Sequence, residues 1–461
     1  MIALNGEKLI EIVEGSLVAG KINKEINSIS IDSRKIENGQ LFLAIRGECF
    51  DGHRFVKEAL KRGAAGALIS EAGDYQNIFN KFIIRVKDTQ KALGKLAENT
   101  RLSTNSKVIG ITGSTGKTSV RDMLNNILSQ GFKVVCSRRN YNNEIGLPLT
   151  LLRADKETEV IIVEMAMRGV GQIKELCKVA HPQIGMITNI GLTHIELLGT
   201  QEKIALVKKE LIDFLGEEDI VILNRDDPWT DILQKSVKGK LITFGLSESA
   251  DVRAEDISFD EFARPSFVLV LPDGKIFIKL PFIGIHQIQN ALSASAAALA
   301  FQINAELIKS GLENTKAEKM RMELIKTKEG IFVINDSYNA SPVSMKAALN
   351  SFSIMKGFKR KIAVLGDMLE LGDVSEYNHR EVGKYMRELK IDYLVTVGKL
   401  SSLIEEEFSK GKHKKVNTRH FCSNKETADF LKGYIRDGDG ILFKASRVMA
   451  FEEIIEMVKN R

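Results

Sequence analysis

Residues Val108 to Thr118 read VIGITGSTGKT, a short apolar run, a glycine-rich turn and a Lys-Thr pair. In such a turn the backbone N–H groups converge on anionic oxygens, Lys117 adds a point charge, and the Thr118 hydroxyl can ligate Mg²⁺. That chemistry is the binding of a nucleoside triphosphate, here through Gly113, Ser114, Thr115, Gly116, Lys117, Thr118 and Ser119. The strict phosphate-loop spacing would put a glycine at position 111, where Ile111 stands between Gly110 and Gly113, so the loop is a variant. A strand-turn-helix junction with glycines for tight turning is the alternative.

Further polar residues stand where apolar runs stop. Glu164 closes VIIVE, and His194 follows the next apolar run in NIGLTHIE. A carboxylate and an imidazole beside a phosphate loop would hold Mg²⁺ on the triphosphate. Asn142 and Asn143 in NYNNEIGLP suit side-chain amide contacts with a substrate, or else loop capping. Ser33 and Arg34 follow a strand-like run, and GECFDGH supplies Asp51 and His53. A hydroxyl and a planar guanidinium can hold a diphosphate or a uracil-like ring edge, and a solvated loop salt bridge competes with that reading. By spacing alone Lys208 and Lys209 face solvent on a helix from about 201 to 215. His286 and Asn290 share a helix face at i, i+4. Asp336 to Asn339, Gly366 to Met368 and Lys444 to Arg447 follow strand-like runs, where an Asp can bind ribose and a Tyr can stack on a purine.

These positions need strands to carry them. Residues 1–105 mix short strands (29–31, 41–45, 67–69, 82–86) with short helices, the pattern of a separate small α/β domain. From 107 to about 311 strand and helix alternate, with strands at 108–111, 133–136, 160–163, 184–187, 220–223 and 241–244. That pattern predicts a parallel sheet covered on both faces, with ligands beyond the carboxyl ends of its strands. Residues 251–281 predict an antiparallel hairpin about Pro272-Asp273-Gly274. A third block has strands at 331–334, 361–365, 393–397 and 441–443, again alternating with helices. The fold class is α/β in three domains, 1–105, 106–312 and 313–461.

The 461 residues, 44% hydrophobic, allow a sizeable core in each domain. Lys and Arg number 66 against 60 Asp and Glu. No basic tract is interleaved with aromatics, so nucleic-acid binding is not demanded. Cys49, Cys136, Cys177 and Cys422 form no C-x-x-C pair, which argues against a zinc knuckle or disulfide framework and for a reducing compartment, the cytoplasm by default. No run has the length of a membrane span, and the early charges of MIALNGEKLI do not suit a secretion signal.

Taken in order, the DSR and DGH pieces, TGSTGKT, NYNNEIGLPLTLL, EMAM, NIGLTHIELLGT, GIHQIQNALSA, NDSYNASP, VLGDMLELG and KASR resemble the Mur ligase family. Ala445 stands where KGSR is usual, Asn335 and Ser341 differ from DDSYNANP, and Ala166 replaces a glycine. The resemblance implies a UDP-binding domain, a central ATPase domain and a Rossmann-like domain closing over the nucleotide. It implies an ATP- and Mg²⁺-dependent ligase that forms a C–N bond and releases ADP and phosphate. The expected substrates are a UDP-N-acetylmuramoyl tripeptide and D-alanyl-D-alanine, in peptidoglycan precursor synthesis, for a monomer in the bacterial cytoplasm. Another ligase of the family with a different acceptor, or a nucleotide-dependent switch, are the alternatives.

Residue roles come with the resemblance. Lys117, His194 and Lys208 would be catalytic. Thr118 and Glu164 would hold one Mg²⁺ and His194 a second, with Lys208 carbamylated into an anionic ligand. Asn290, Arg321 and Asp336 would contact adenosine, with Tyr338 beside the purine. Ser33, Arg34, Asp51, His53, Asn142, Asn143, Lys444 and Arg447 would contact the other substrates.

Overall fold

The runs rich in Ile, Val and Leu become the strands of three sheets in a computed structural model, which describes residues 2–459 apart from 24, 48, 49, 74, 76–79, 139 and 412–416. The first sheet holds β1 (Ser16–Gly20), β2 (Ile29–Ser30), β3 (Leu41–Leu43), β4 (Gly66–Ile69) and β5 (Phe82–Arg85) in the order β1-β5-β4-β3-β2. Strands β2 to β5 run parallel and β1 is antiparallel at the edge. The helix Thr89–Leu102, capped by the Asp88 carboxylate, buries Ala92, Leu93, Leu96 and Ala97 in a core shared with the central block.

The central sheet contains β6 (Lys107–Thr112), β7 (Val134–Cys136), β8 (Val160–Glu164), β9 (Ile184–Ile187), β10 (Ile220–Asn224), β11 (Lys240–Gly245), β12 (Val252–Phe259), β13 (Pro265–Leu271) and β14 (Gly274–Lys279). Their order is β14-β13-β12-β11-β10-β9-β6-β8-β7. The pairing is parallel from β7 as far as β12, then antiparallel through β13 and β14. The expected hairpin is thus part of a three-stranded extension. Alternate residues serve opposite faces: Ile109, Ile111, Val160 and Ile162 meet the helices Lys117–Leu128 and His286–Leu299, while Val108, Ile161 and Val163 meet Gln172–Ala180 and Gln201–Phe214. Lys275 and Lys279 stand on the outer strand β14, whose Lys279 N–H donates to Glu313 Oε1 (2.8 Å), and the other edge, β7, is three residues long.

The third sheet holds β15 (Glu323–Lys326), β16 (Phe332–Asn335), β17 (Arg360–Gly366), β18 (Tyr393–Val397), β19 (Asn417–Phe421) and β20 (Asp439–Lys444), in the order β15-β16-β20-β17-β18-β19. All pairs are parallel except β15 with β16. Cys49 lies outside the described residues, while Cys136, Cys177 and Cys422 are free thiols. Among the described residues no helix is long and apolar enough to cross a membrane.

Candidate functional site

The phosphate loop leaves the centre of the sheet between strands whose chain connections diverge, where open α/β sheets form a crevice. Gly113 has φ +146° and Gly116 φ +85°, and the following helix begins at Lys117. A Cβ would sit 1.9 Å from Thr188 Oγ1 at Gly113 and 2.5 Å from Asn290 Oδ1 at Gly116, so both the turn and its neighbours require glycine. The turn is clamped from behind by the loop after β9. Asn189 Oδ1 accepts from the Thr115 amide (3.0 Å), Thr188 Oγ1 donates to the Thr115 carbonyl (2.6 Å), and the Gly191 amide donates to Ser114 Oγ (2.7 Å). Lys117 Nζ donates to the Gly113 carbonyl (2.5 Å), and burial lowers its pKa.

Parallel pairing sets Ile111 of β6 opposite Glu164 of β8, which brings that carboxylate to the loop. Thr118 Oγ1 donates to Glu164 Oε2 at 3.3 Å, and Arg121, one turn beyond Lys117, donates to Glu164 Oε1 at 2.8 Å. Glu164 and Arg121 are both buried. Arg121 was not singled out in the sequence, although its i, i+4 spacing from Lys117 puts it on the same helix face. His194 lies beyond β9 with φ 65°, and its pKa is pushed down to about 4 by burial and then by Lys117, Lys208 and Arg168. The imidazole is therefore neutral at pH 7.

Lys208 departs from the spacing-based expectation. The face it occupies on Gln201–Phe214 packs inward with Ile204, Ala205, Val207, Leu211 and Ile212, so it is only 2% exposed. Its neighbour Lys209 does reach outward, to Asp213 (2.5 Å). Burial, and secondarily the charge of Lys117, lowers the Lys208 pKa well below its ordinary value. It forms no ion pair among the described residues.

The third block supplies the facing wall. Lys444 Nζ reaches Asp336 Oδ2 (2.5 Å) and the Asn339 carbonyl (3.1 Å), and Asp336 Oδ1 accepts from the Met322 amide (3.1 Å). The Arg321 guanidinium stacks 4.2 Å from the Tyr338 ring centre, while the Tyr338 hydroxyl donates to Asn140 Oδ1 of the central block. Asn290 Nδ2 donates to Gln287 Oε1 (2.9 Å), and His286 one turn earlier has a pKa lowered to about 4, chiefly by burial.

These residues line one cleft of about 1120 Å³. It receives Ser114 to Ser119, Asn142, Asn143, Glu164, His194, Asn290, Arg321, Asp336, Tyr338 and Lys444, with Phe50 and Asn189 from the GECFDGH and NIGLTHIE stretches, together with Arg46, Gln90, Arg168, Gln172 and Thr188, none of which the sequence had marked. Short, chemically ordinary segments gave no signal for the latter. Asn143 Oδ1 accepts from the Gly146 amide (2.9 Å), so its side chain also braces the following helix.

Gly113 and Lys208 stand behind this lining, and Ser33, Arg34, Asp51, His53 and Arg447 lie outside it. Ser33 is buried, and Arg34 forks onto Asp32 (2.9 and 3.0 Å), holding that carboxyl down at about 2. His53 Nδ1 is 2.7 Å from Asp51 Oδ1. Arg46 pairs with both Asp51 and Glu71, so these acids brace the side chain of a residue that lines the cleft. Arg447 pairs with Glu452 (2.6 Å). Asp367 accepts from the Leu400 and Ser401 amides and serves its own loop. Ser341, one of the departures from the resembled motif, forms a capping box with Ser344 at the helix Pro342–Ile354.

Comparison with known proteins covers most of the chain. Residues 25–101 match the Mur ligase family catalytic domain, 111–298 the Mur ligase middle domain, and 320–447 the Mur ligase glutamate ligase domain. The chain is 38% identical to a UDP-N-acetylmuramoyl-tripeptide–D-alanyl-D-alanine ligase of Bacillus subtilis (strain 168), over 99% of this chain and 98% of that protein. It is similar to a crystal structure of MurF from Acinetobacter baumannii, with a TM-score of 0.91 and 31% identity over 100% of this chain and 99% of that one. It is also similar to a MurF ligase from Thermotoga maritima in complex with ADP, with a TM-score of 0.82 and 28% identity over 94% and 97% of the two chains.

Proposed function

This chain belongs to the Mur ligase family, and from that premise we propose that it is an ATP-dependent amide ligase joining D-alanyl-D-alanine to a UDP-N-acetylmuramoyl tripeptide. The observation that carries the proposal is the reach of the cleft. Residues of all three blocks line it, and its volume of about 1120 Å³ exceeds what a single small ligand needs. A nucleotide switch would need only the phosphate loop and the wall facing it.

In this reading the tripeptide carboxylate takes the γ-phosphoryl group of ATP. ADP leaves, and a poor oxide leaving group becomes phosphate. The amine of the dipeptide then attacks the acyl carbon, and the tetrahedral intermediate expels phosphate to leave the amide. The chain's task is positioning and charge neutralisation. Lys117 and the loop amides would grip the β- and γ-phosphates. Asn290, Arg321 and Asp336 would hold adenosine, with the Tyr338 ring, already packed under Arg321, beside the purine. Asn142, Asn143 and Lys444 would meet the reacting groups, and Arg447, Ser33, Arg34, Asp51 and His53 outlying parts of the substrates.

The residues present fit Mg²⁺. Thr118 offers a hydroxyl, Glu164 a carboxylate and His194 a neutral imidazole. Burial depresses the Lys208 pKa, which favours the amine form that can add CO₂, losing one proton and becoming an anionic carbamate. When bound, Mg²⁺ would neutralise phosphate charge as the two anionic reactants approach. The protein is taken to act as a monomer in the bacterial cytoplasm, with neither nucleic acid nor membrane as partner.

The test is phosphate release with ATP, Mg²⁺ and UDP-N-acetylmuramoyl tripeptide, with and without D-alanyl-D-alanine, read together with the product mass. Release that depends on the dipeptide, with a pentapeptide product, is expected. Release indifferent to both acceptors would favour the switch, and release without a pentapeptide mass would favour a different acceptor.

A further inference from the structure

The turn that carries His194 is docked onto the third block. Its next residue, Ile195, packs against the core formed by Met345, Met368 and Leu371, while also touching the core of the central block. Glu196 lies over Gly372, where an added Cβ would come within 3.1 Å of Glu196 Cγ. Between these contacts the Glu370 carboxylate reaches His194 Nδ1 at 3.3 Å. Both residues hold left-handed backbone, φ 65° at His194 and 64° at Glu370, a conformation that costs energy for any residue but glycine and recurs where geometry is functional. The segment leading to Glu370 is pinned: the Met368 amide donates to His379 Nε2 (2.9 Å) and the Leu369 amide to Ser446 Oγ (2.9 Å).

We propose that Glu370 is a positioning residue: its carboxylate, 3.3 Å from His194 Nδ1, favours the proton on that nitrogen and so leaves the Nε2 lone pair free as a cation ligand. The metal ligand then belongs to the central block, but its aim belongs to the third. A carboxylate holding the far nitrogen of a ligating imidazole both selects the tautomer and fixes the ring. An undocked third block leaves His194 untethered, so the cation site is complete only when the two blocks meet. This inference rests on the proposed function insofar as His194 ligates Mg²⁺.

The test uses the full chain with ¹⁵N-labelled histidine, at pH 8 and without nucleotide, and compares wild type with Glu370→Ala and Glu370→Gln. Long-range ¹H–¹⁵N correlation of the His194 ring should show Nδ1–H in wild type. In Glu370→Ala it should move toward Nε2–H, and in Glu370→Gln it should be retained, because the amide oxygen keeps the negative end of a dipole beside Nδ1. The Mg²⁺ concentration for half-maximal phosphate release should rise about tenfold in Glu370→Ala. KM for the dipeptide should stay near the wild-type value. The Glu370 side chain is 60% exposed, so an unchanged melting temperature identifies folded variants. An identical tautomer in all three proteins, or an unchanged Mg²⁺ requirement in folded Glu370→Ala, would overturn the proposal. Wild type that releases no phosphate at all would count against the ligase assignment, while the ring resonances would still decide the contact.

Discussion

Lys117 and Lys208 are two amines in one buried site, and their substitutions separate two kinds of contribution. Lys117→Ala removes a charge needed when phosphoryl transfer begins, so turnover should fall by about 10²–10³-fold. UDP-substrate affinity measured by calorimetry should change little, and a near-normal rate would refute the role. The loop around Lys117 was legible because glycine, lysine and threonine at fixed offsets have few other uses. Lys208 was not: helical periodicity placed it outside, and only tertiary packing of its helix against the sheet shows that this face is inward. His286 gives a pH dependence. Its pKa of about 4 lies below the 6.5 of the unfolded chain, so the unfolded state takes up the proton first. Its contribution is complete above about pH 6.5 and is lost as pH falls toward 4. The loss should be on the order of 2–3 kcal/mol. Urea unfolding at pH 7.5 and 4.5 should show a smaller difference for His286→Gln than for wild type.

Elements fail or hold as units. The phosphate turn depends on two left-handed positions, and Gly116→Ala would drive a methyl toward Asn290. A loss of about 1–2 kcal/mol in stability is expected, with nucleotide affinity, followed by fluorescent ATP analogue titration, falling at least as steeply. Arg121→Ala would strand the Glu164 carboxylate, and uncompensated buried charges cost about 3–5 kcal/mol. An unchanged urea midpoint would show that the pair is dispensable. Most strands were legible from apolar runs, and Ile184–Ile187 and Tyr393–Val397 fall where the sequence puts them. Three were not. SLVAG of β1 is largely exposed, ELIK of β15 is only partly buried, and NTRHF of β19 is polar, because edge strands bury one neighbour instead of two and leave a weak hydrophobic signature.

At the scale of the molecule, the sequence suggested three sheets but not which side chains meet. Tyr338 with Asn140, and Glu370 with His194, join positions far apart in the chain, and no local pattern encodes such a pairing. If the third block closes on bound nucleotide, small-angle scattering should give a smaller radius of gyration with ATP analogue and UDP-substrate together than with either absent. Identical curves would argue against closure. The borders of the central sheet bear on a different property. β7 is too short to template another strand, and β14 meets solvent with Lys275 and Lys279 while Glu313 occupies one of its amides. A stray strand from a crowded or half-made neighbour would have to bring its backbone up against two ammonium groups and displace a carboxylate. Replacing both lysines with valine would make the longest sheet in the molecule a seed for aggregation, so their worth lies in keeping the protein dispersed, apart from anything done in the cleft.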